Sequence, residues 1–148
     1  MHEKQIAIKL VKTWLIDDII TLYKAGGWWK DEFDPNSIPR LIQGSYAFAV
    51  AVDTNIGKAI GMGRVLSDGI SDAYIQDVVV LPEYRGFNIG KKIVQTLVTY
   101  CISNNIHWIG LIAEPNSQQF YTSIGFSQMK EYIPMLFVSN KGRKHAPF

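Results

Sequence analysis

Asp77-Val78-Val79-Val80-Leu81-Pro82-Glu83-Tyr84-Arg85-Gly86-Phe87-Asn88-Ile89-Gly90-Lys91 reads as a strand, a tight turn and the start of a helix in immediate succession. Val78–Leu81 is an apolar run, and Pro82, which has no N–H to give to a ladder, closes it. From Asn88 to Asn104, Ile89, Ile93, Leu97 and Cys101 recur at helical spacing, with Lys91, Lys92 and Gln95 off that face. A helix that opens straight after a turn leaves its first N–H groups unpaired, with the helix dipole behind them. Such a start can cradle a pyrophosphate. Gly86 and Gly90 permit close approach to the backbone, and Arg85 and Lys91 add positive charge at the rim. Strand–turn–helix connections with glycines can also be purely structural, so the loop alone does not decide. It is not a dinucleotide fingerprint: Gly86 and Gly90 have the wrong spacing, and Gly61-Met62-Gly63 lies in a strand and lacks the third glycine.

Outward from this segment the chain alternates between the two periodicities. Gln5–Leu10 reads as a half-buried strand, and Thr13 is placed to cap a helix with the stripe Ile16, Ile19, Ile20 and Tyr23, stopped by Gly26 and Gly27. Trp28–Pro35 is a loop, and Pro39–Gln43 a short helix ended by Gly44. Tyr46–Val52 and Ala59–Leu66 are strands joined by a turn-rich connection, and Tyr74–Val80 is the next. Downstream, the apolar run Trp108–Ala113 predicts a strand covered on both faces. Pro115 opens a helix carrying Phe120 and Tyr121 and ending near Gly125. Strands around Phe126–Lys130 and Ile133–Val138 follow. The order β-α-α-β-β-β-α-β-α-β-β predicts one mixed α/β domain.

The 148 residues suffice for one domain with a substantial core, and 47% hydrophobic content argues against disorder. No apolar stretch approaches the roughly 20 residues of a membrane span, and the N-terminus lacks a signal-peptide core. No membrane partner is expected. The single cysteine, Cys101, cannot form an internal disulfide, which fits a cytoplasmic location. It lies on the apolar helix face, as a core residue would. A net charge of +2 does not point to nucleic acid. The basic end, Lys141, Arg143, Lys144 and His145, reads as a solvated terminus or as a contact for an anionic partner. His2, His107 and His145 show no metal-ligand spacing, so no metal is expected.

Arg85-Gly86-Phe87-Asn88-Ile89-Gly90 resembles the coenzyme A pyrophosphate signature of the GNAT superfamily of acetyl-CoA-dependent N-acetyltransferases, [QR]-x-x-G-x-[GA]. Asp77–Tyr84 resembles that family's fourth strand. Ala113-Glu114-Pro115-Asn116 and Phe120-Tyr121-Thr122-Ser123-Ile124-Gly125-Phe126 resemble its fifth-strand end and its FY-x-x-x-GF element. The resemblance covers nearly the whole chain and is most specific over residues 74–126. One departure stands out: Asn88 occupies the place of the signature's first glycine. Asparagine is the non-glycine residue most tolerant of left-handed geometry, so the loop is expected to form.

The resemblance implies an α/β (mixed α+β) fold: a single domain over residues 1–138, a mostly antiparallel mixed sheet splayed between its fourth and fifth strands, and flanking helices. Residues 139–148 would be a basic tail. It implies acetyl-CoA as co-substrate, with Val78, Val79, Val80, Arg85, Gly86, Phe87, Asn88, Ile89, Gly90, Lys91, Asn116 and Phe120 holding it. The Val78 N–H would stabilise the developing oxyanion, and Tyr121 would protonate the leaving thiolate. Asp77 and Glu114 are the candidate bases for the attacking amine. Each has a plainer reading, as a salt-bridged or solvated carboxylate, and Tyr121 could simply pack at a helix end. Trp28 and Trp29, with Asp31, Glu32, Phe33 and Asp34 nearby, would border the acceptor site, where aromatic faces and carboxylates suit a small amine. They could equally pack on the core. A homodimer is a family-level expectation. The alternative function is a non-catalytic acyl-CoA-binding or sensor domain.

Overall fold

A computed structural model describes residues 4–139, so His2 and the basic residues Lys141, Arg143, Lys144 and His145 fall outside the described residues. The chain divides between Leu111 and Ile112 into two compact units. In the first unit, five strands form one sheet in the order of the sequence: β1 (Ile6–Leu10), β2 (Ala47–Asp53), β3 (Lys58–Ser67), β4 (Ala73–Val80) and β5 (Ile109–Gly110). The first four pair antiparallel and β5 joins β4 in parallel, which is the mixed sheet expected from the sequence.

The alternation along β2 sorts the two faces of the sheet by size. Phe48, Val50 and Val52 pack in one core with α1 (Ile16–Ala25) and α2 (Ile38–Gly44), through Ile19, Leu22, Tyr23, Ile38 and Ile42. Ala47, Ala49 and Ala51 have small side chains, and on β3 a Cβ at Gly63 would stand 2.9 Å from Ile93 and 3.2 Å from Leu97. Small residues on this side let α3 (Ile89–Ser103) lie close against the strands, with Ile93, Val94, Leu97 and Cys101 buried. Helices thus cover both faces.

Several local expectations need correction. The first helix is capped at Leu15 without a side-chain bond, not at Thr13; Trp14 Nε1 donates to Asp18 Oδ2 at 2.9 Å instead, and Asp17 and Asp18 supply charge to the first turn. Gly26 stays right-handed and Gly27 takes the left-handed turn, at φ +78°. The fifth strand is only two residues long and is not covered on both faces, since Trp108 is 42% and Ile112 76% exposed.

In the second unit, Pro115 does not open the helix. Asn116 sits at φ +68°, which no helix accommodates, so α4 begins two residues later (Gln118–Thr122). It closes as expected near Gly125, at φ +105°. Phe126–Lys130 and Ile133–Val138 form no strand among the described residues; they find no ladder partner there, and Met135 and Phe137 stay 90% and 89% exposed.

Candidate active site

Beyond Tyr74 the β4 edge has no β5 partner, because the parallel ladder consists only of Ala73↔Ile109 and Tyr74↔Gly110. Leu81 N donates to Ile60 O, so alternation turns the N–H and C=O of Val80 away from β3, toward that open edge. Val80 O accepts from Arg85 Nε at 3.0 Å. The chain then makes a 3-10 turn at Pro82–Tyr84, Gly86 takes φ +85°, and Asn88 takes the left-handed conformation at φ +61°. The expected tolerance of asparagine at this position is what the backbone uses. A Cβ at Gly86 would meet nothing within 4 Å among the described residues beyond its chain neighbours, so the loop needs this glycine for its φ.

The start of α3 breaks the usual rule of helix ends. Its N-cap makes no side-chain bond, its first turn holds no acid, and Lys91 and Lys92 lie there instead. Uncapped N–H groups and cations together at a positive helix end disfavour each other unless an anion joins them. The arrangement fits a diphosphate, the group by which coenzyme A would be held. Arg85, Gly86, Phe87 and Asn88 are exposed around it, and Ile89 anchors the helix in the core.

Upstream, β4 carries an extra residue. Met62 pairs with Val79 and Arg64 with Gln76, so Gly63 faces both Asp77 and Val78. Asp77 adopts φ +60° at this bulge. Its Oδ2 accepts from Arg64 Nε at 2.7 Å and from Tyr23 Oη at 2.8 Å. Arg64 also reaches Ser45 Oγ and Gln76 Oε1, each at 3.5 Å. Burial first, and the Asp77 carboxylate second, push the Tyr23 hydroxyl far above the usual tyrosine range. Tyr23 therefore acts as a fixed donor. Asp77, foreseen as a base, is held in an ion pair. Arg64 was not singled out in the sequence and Tyr23 only as part of an apolar helix stripe, although a lone charge inside the apolar strand Ala59–Leu66 was a signal for the first.

Trp28 and Trp29 are half-buried against the α1–α2 core. Trp28 meets the Tyr23 ring edge-on at 6.2 Å, which ties it to the residue that grips Asp77, and Trp29 meets Phe33 at 5.6 Å. Asp34 caps the following turn by accepting from Asn36 N. Glu114, Asn116, Phe120 and Tyr121 belong to the second unit. There Tyr121 contacts Phe120 at 4.9 Å and Phe126 at 5.8 Å, and Ser117 Oγ donates to Glu114 O. Burial first, then the Glu114 carboxylate, push the Tyr121 hydroxyl up.

The open β4 edge, the bulge and the uncapped helix define a class that comparison with known proteins makes explicit. The chain belongs to the GNAT family: the family model described as "Acetyltransferase (GNAT) domain" matches residues 22–144. GCN5-related N-acetyltransferase 2, chloroplastic, of Arabidopsis thaliana is 40% identical over 54% of this chain and 31% of its own length. Histone acetyltransferase TAP1 of Glycine max is 35% identical over 54% and 35%. Serotonin N-acetyltransferase 2, chloroplastic, of Oryza sativa is 30% identical over 56% and 42%. The matched part thus spans 31–42% of the length of these relatives. Among solved structures, a GNAT-family acetyltransferase of Streptococcus pneumoniae shares the fold at TM-score 0.75 and 24% identity, over 92% of this chain and 99% of its own. AAC(6')-Iy, solved with a CoA-containing bisubstrate analogue, does so at 0.71 and 16%, over 91% and 99%. Among the described residues no helix is long and apolar enough to cross a membrane.

Proposed function

We propose that the chain transfers an acetyl group from acetyl-CoA to the primary amine of a small molecule, with residues 1–138 working as one domain. The observation that carries this is the uncapped, acid-free start of α3, set at the end of a strand whose far edge, among the described residues, is paired only at Ala73 and Tyr74. When bound, acetyl-CoA supplies an acetyl thioester open to attack by an amine. Arg85–Lys91 hold the diphosphate, and the backbone of Val78 and Val80 pairs with the pantetheine amides as a strand would, with Val79 between them. Asn116 and Phe120 complete the grip. The Val78 N–H, at the bulge, is the donor for the carbonyl oxygen where negative charge grows. Holding amine and thioester together supplies much of the acceleration. Tyr121, its hydroxyl pushed up, keeps its proton at neutral pH and gives it to the departing sulfur. Asp77 and Glu114 are the carboxylates that receive the amine's proton, directly or through water.

Support for a small acceptor comes from the half-buried Trp28 against Tyr23, whose hydroxyl binds Asp77, and from relatives whose names specify serotonin or, for AAC(6')-Iy, an aminoglycoside. Another relative is named for histones, so the acceptor class is the part to test. A cytoplasmic homodimer belongs to the same proposal. The second reading, a non-catalytic acyl-CoA-binding domain, is favoured by the engagement of Asp77 with Arg64 and Tyr23.

Calorimetric titration with CoA, followed by a panel of amines assayed for CoA release, tests both readings. The enzyme reading expects binding and turnover with at least one small amine. Binding without transfer to any amine supports the sensor, and no binding at millimolar CoA rejects both. Activity confined to protein N-termini or lysines rejects the small acceptor. With an active amine in hand, Tyr121→Phe is expected to lower kcat by about 10²-fold while acetyl-CoA affinity holds; unchanged kcat removes Tyr121 from the chemistry.

A further inference from the structure

The loop that follows β4 does not hang free; it crosses the end of the sheet and is fastened to three strands in turn. Leu81 N donates to Ile60 O of β3 at 2.9 Å. Tyr84 Oη donates to Asp53 Oδ2 at 2.6 Å, and Asp53, at the end of β2, is only 6% exposed. Its other oxygen accepts from Asn55 N, so the carboxylate is a fixed post. The last fastening comes from Lys4, just ahead of β1. Lys4 Nζ donates to Glu83 O at 2.7 Å and lies over two rings, 4.5 Å from the centre of Tyr84 and 4.3 Å from that of Phe87. Those rings flank Arg85-Gly86, where Gly86 takes the left-handed conformation at φ +85°. Phe87 is 54% exposed, so the cation, rather than a core, is what holds it.

We infer that Lys4 is a positioning residue of the phosphate loop, which also adds its charge to the anion site at the start of α3. This rests on the reading of that loop as the coenzyme A site. Lys4 draws Tyr84 and Phe87 to one cation and fixes the segment between them before ligand arrives, so less ordering is left to be done on binding. Its ammonium also raises the local potential for a diphosphate, in the same sense as Arg85, Lys91 and Lys92. Both effects act on the phosphate end of the ligand and not on the pantetheine end.

The experiment compares the full chain with Lys4→Met and Lys4→Arg, with CoA followed by calorimetry and S-acetylpantetheine, which lacks the diphosphate, by NMR shift titration. For CoA at low salt, Lys4→Met is expected to bind about fivefold more weakly, the scale of one exposed charge. Lys4→Arg, which keeps charge and ring contacts, is expected within about twofold of wild type. S-acetylpantetheine binding should be the same in all three. An unchanged CoA affinity in Lys4→Met overturns the inference, and so does an equal loss for S-acetylpantetheine, which would mark a general structural role. Failure of the wild-type chain to bind CoA removes the cofactor reading itself, and Lys4's role with it.

Discussion

Removing either member of the Arg64–Asp77 pair should be costly, and removing both should cost much less than the sum. Arg64 Nε lies 2.7 Å from Asp77 Oδ2, and the two side chains are only 16% and 18% exposed. Two unit charges about 4 Å apart attract by roughly 4 kcal/mol at an effective dielectric of about 20. Desolvation of both groups offsets about half of that, which leaves a coupling of about 2 kcal/mol. Arg64→Leu strands a mostly buried carboxylate that only Tyr23 still serves, a loss of about 3 kcal/mol. Asp77→Asn keeps the shape and tolerates φ +60° but strands the guanidinium, a loss of about 2 kcal/mol. The double variant should then lose about 3 kcal/mol, not 5. Urea unfolding followed by circular dichroism gives the three differences. For a chain of this length, Arg64→Leu alone should lower the Tm by about 6–12 °C. Single losses that add to within about 0.5 kcal/mol would show the pair uncoupled and refute the argument.

Gly63→Val should destabilise by about 2 kcal/mol, because its Cβ meets Ile93 at 2.9 Å, Leu97 at 3.2 Å and Val78 at 3.3 Å; an unchanged urea midpoint would mean that α3 does not lie this close. Asn88→Val should cost about 1–2 kcal/mol in thermal unfolding, while Asn88→Gly should match or exceed wild type; equal losses in both would deny the left-handed backbone at Asn88. Tyr84's hydroxyl is pushed up to about 12, chiefly by its bond to Asp53. An unfolded tyrosine titrates near 10, so the stability this raised value brings is whole below pH 10 and is lost as the pH climbs through 12. Tyr84→Phe should be less stable than wild type at pH 9, and the gap should close between pH 10 and 12; a constant gap would show that the bond does not govern the titration.

The four long strands and α3 were legible because their apolar residues keep a period, and their observed ends fall within two residues of the expected ones. The turn from β4 into α3 was legible from glycine and proline in a fixed order. The bulge at Asp77 was not. One extra residue in a strand leaves no mark on alternation until the partner register is known, and aspartate is no signal for φ +60°. Contacts joining distant positions were equally hidden, as with Lys4 and Glu83, 79 positions apart, and Tyr23 and Asp77, 54 apart. The strands expected in 126–138 show the reverse failure. Ile133–Val138 is rich in apolar residues, but a strand also needs an edge to pair with, and a sequence does not announce its partner.

The unpaired edge of β4 has a consequence beyond cofactor binding. Most proteins shield a sheet's last row of N–H and C=O groups with charge, proline or a covering element, because an open row invites another chain. Here the row from Ile75 to Val80 cannot be closed by the protein's own fifth strand without filling the place proposed for pantetheine. The bulge twists part of the row away, and the Arg85 side chain occupies the Val80 carbonyl. These two devices keep the vacancy from becoming a docking strip for neighbours; on the proposed function, the same stretch must be adhesive to one small molecule and unattractive to every other strand.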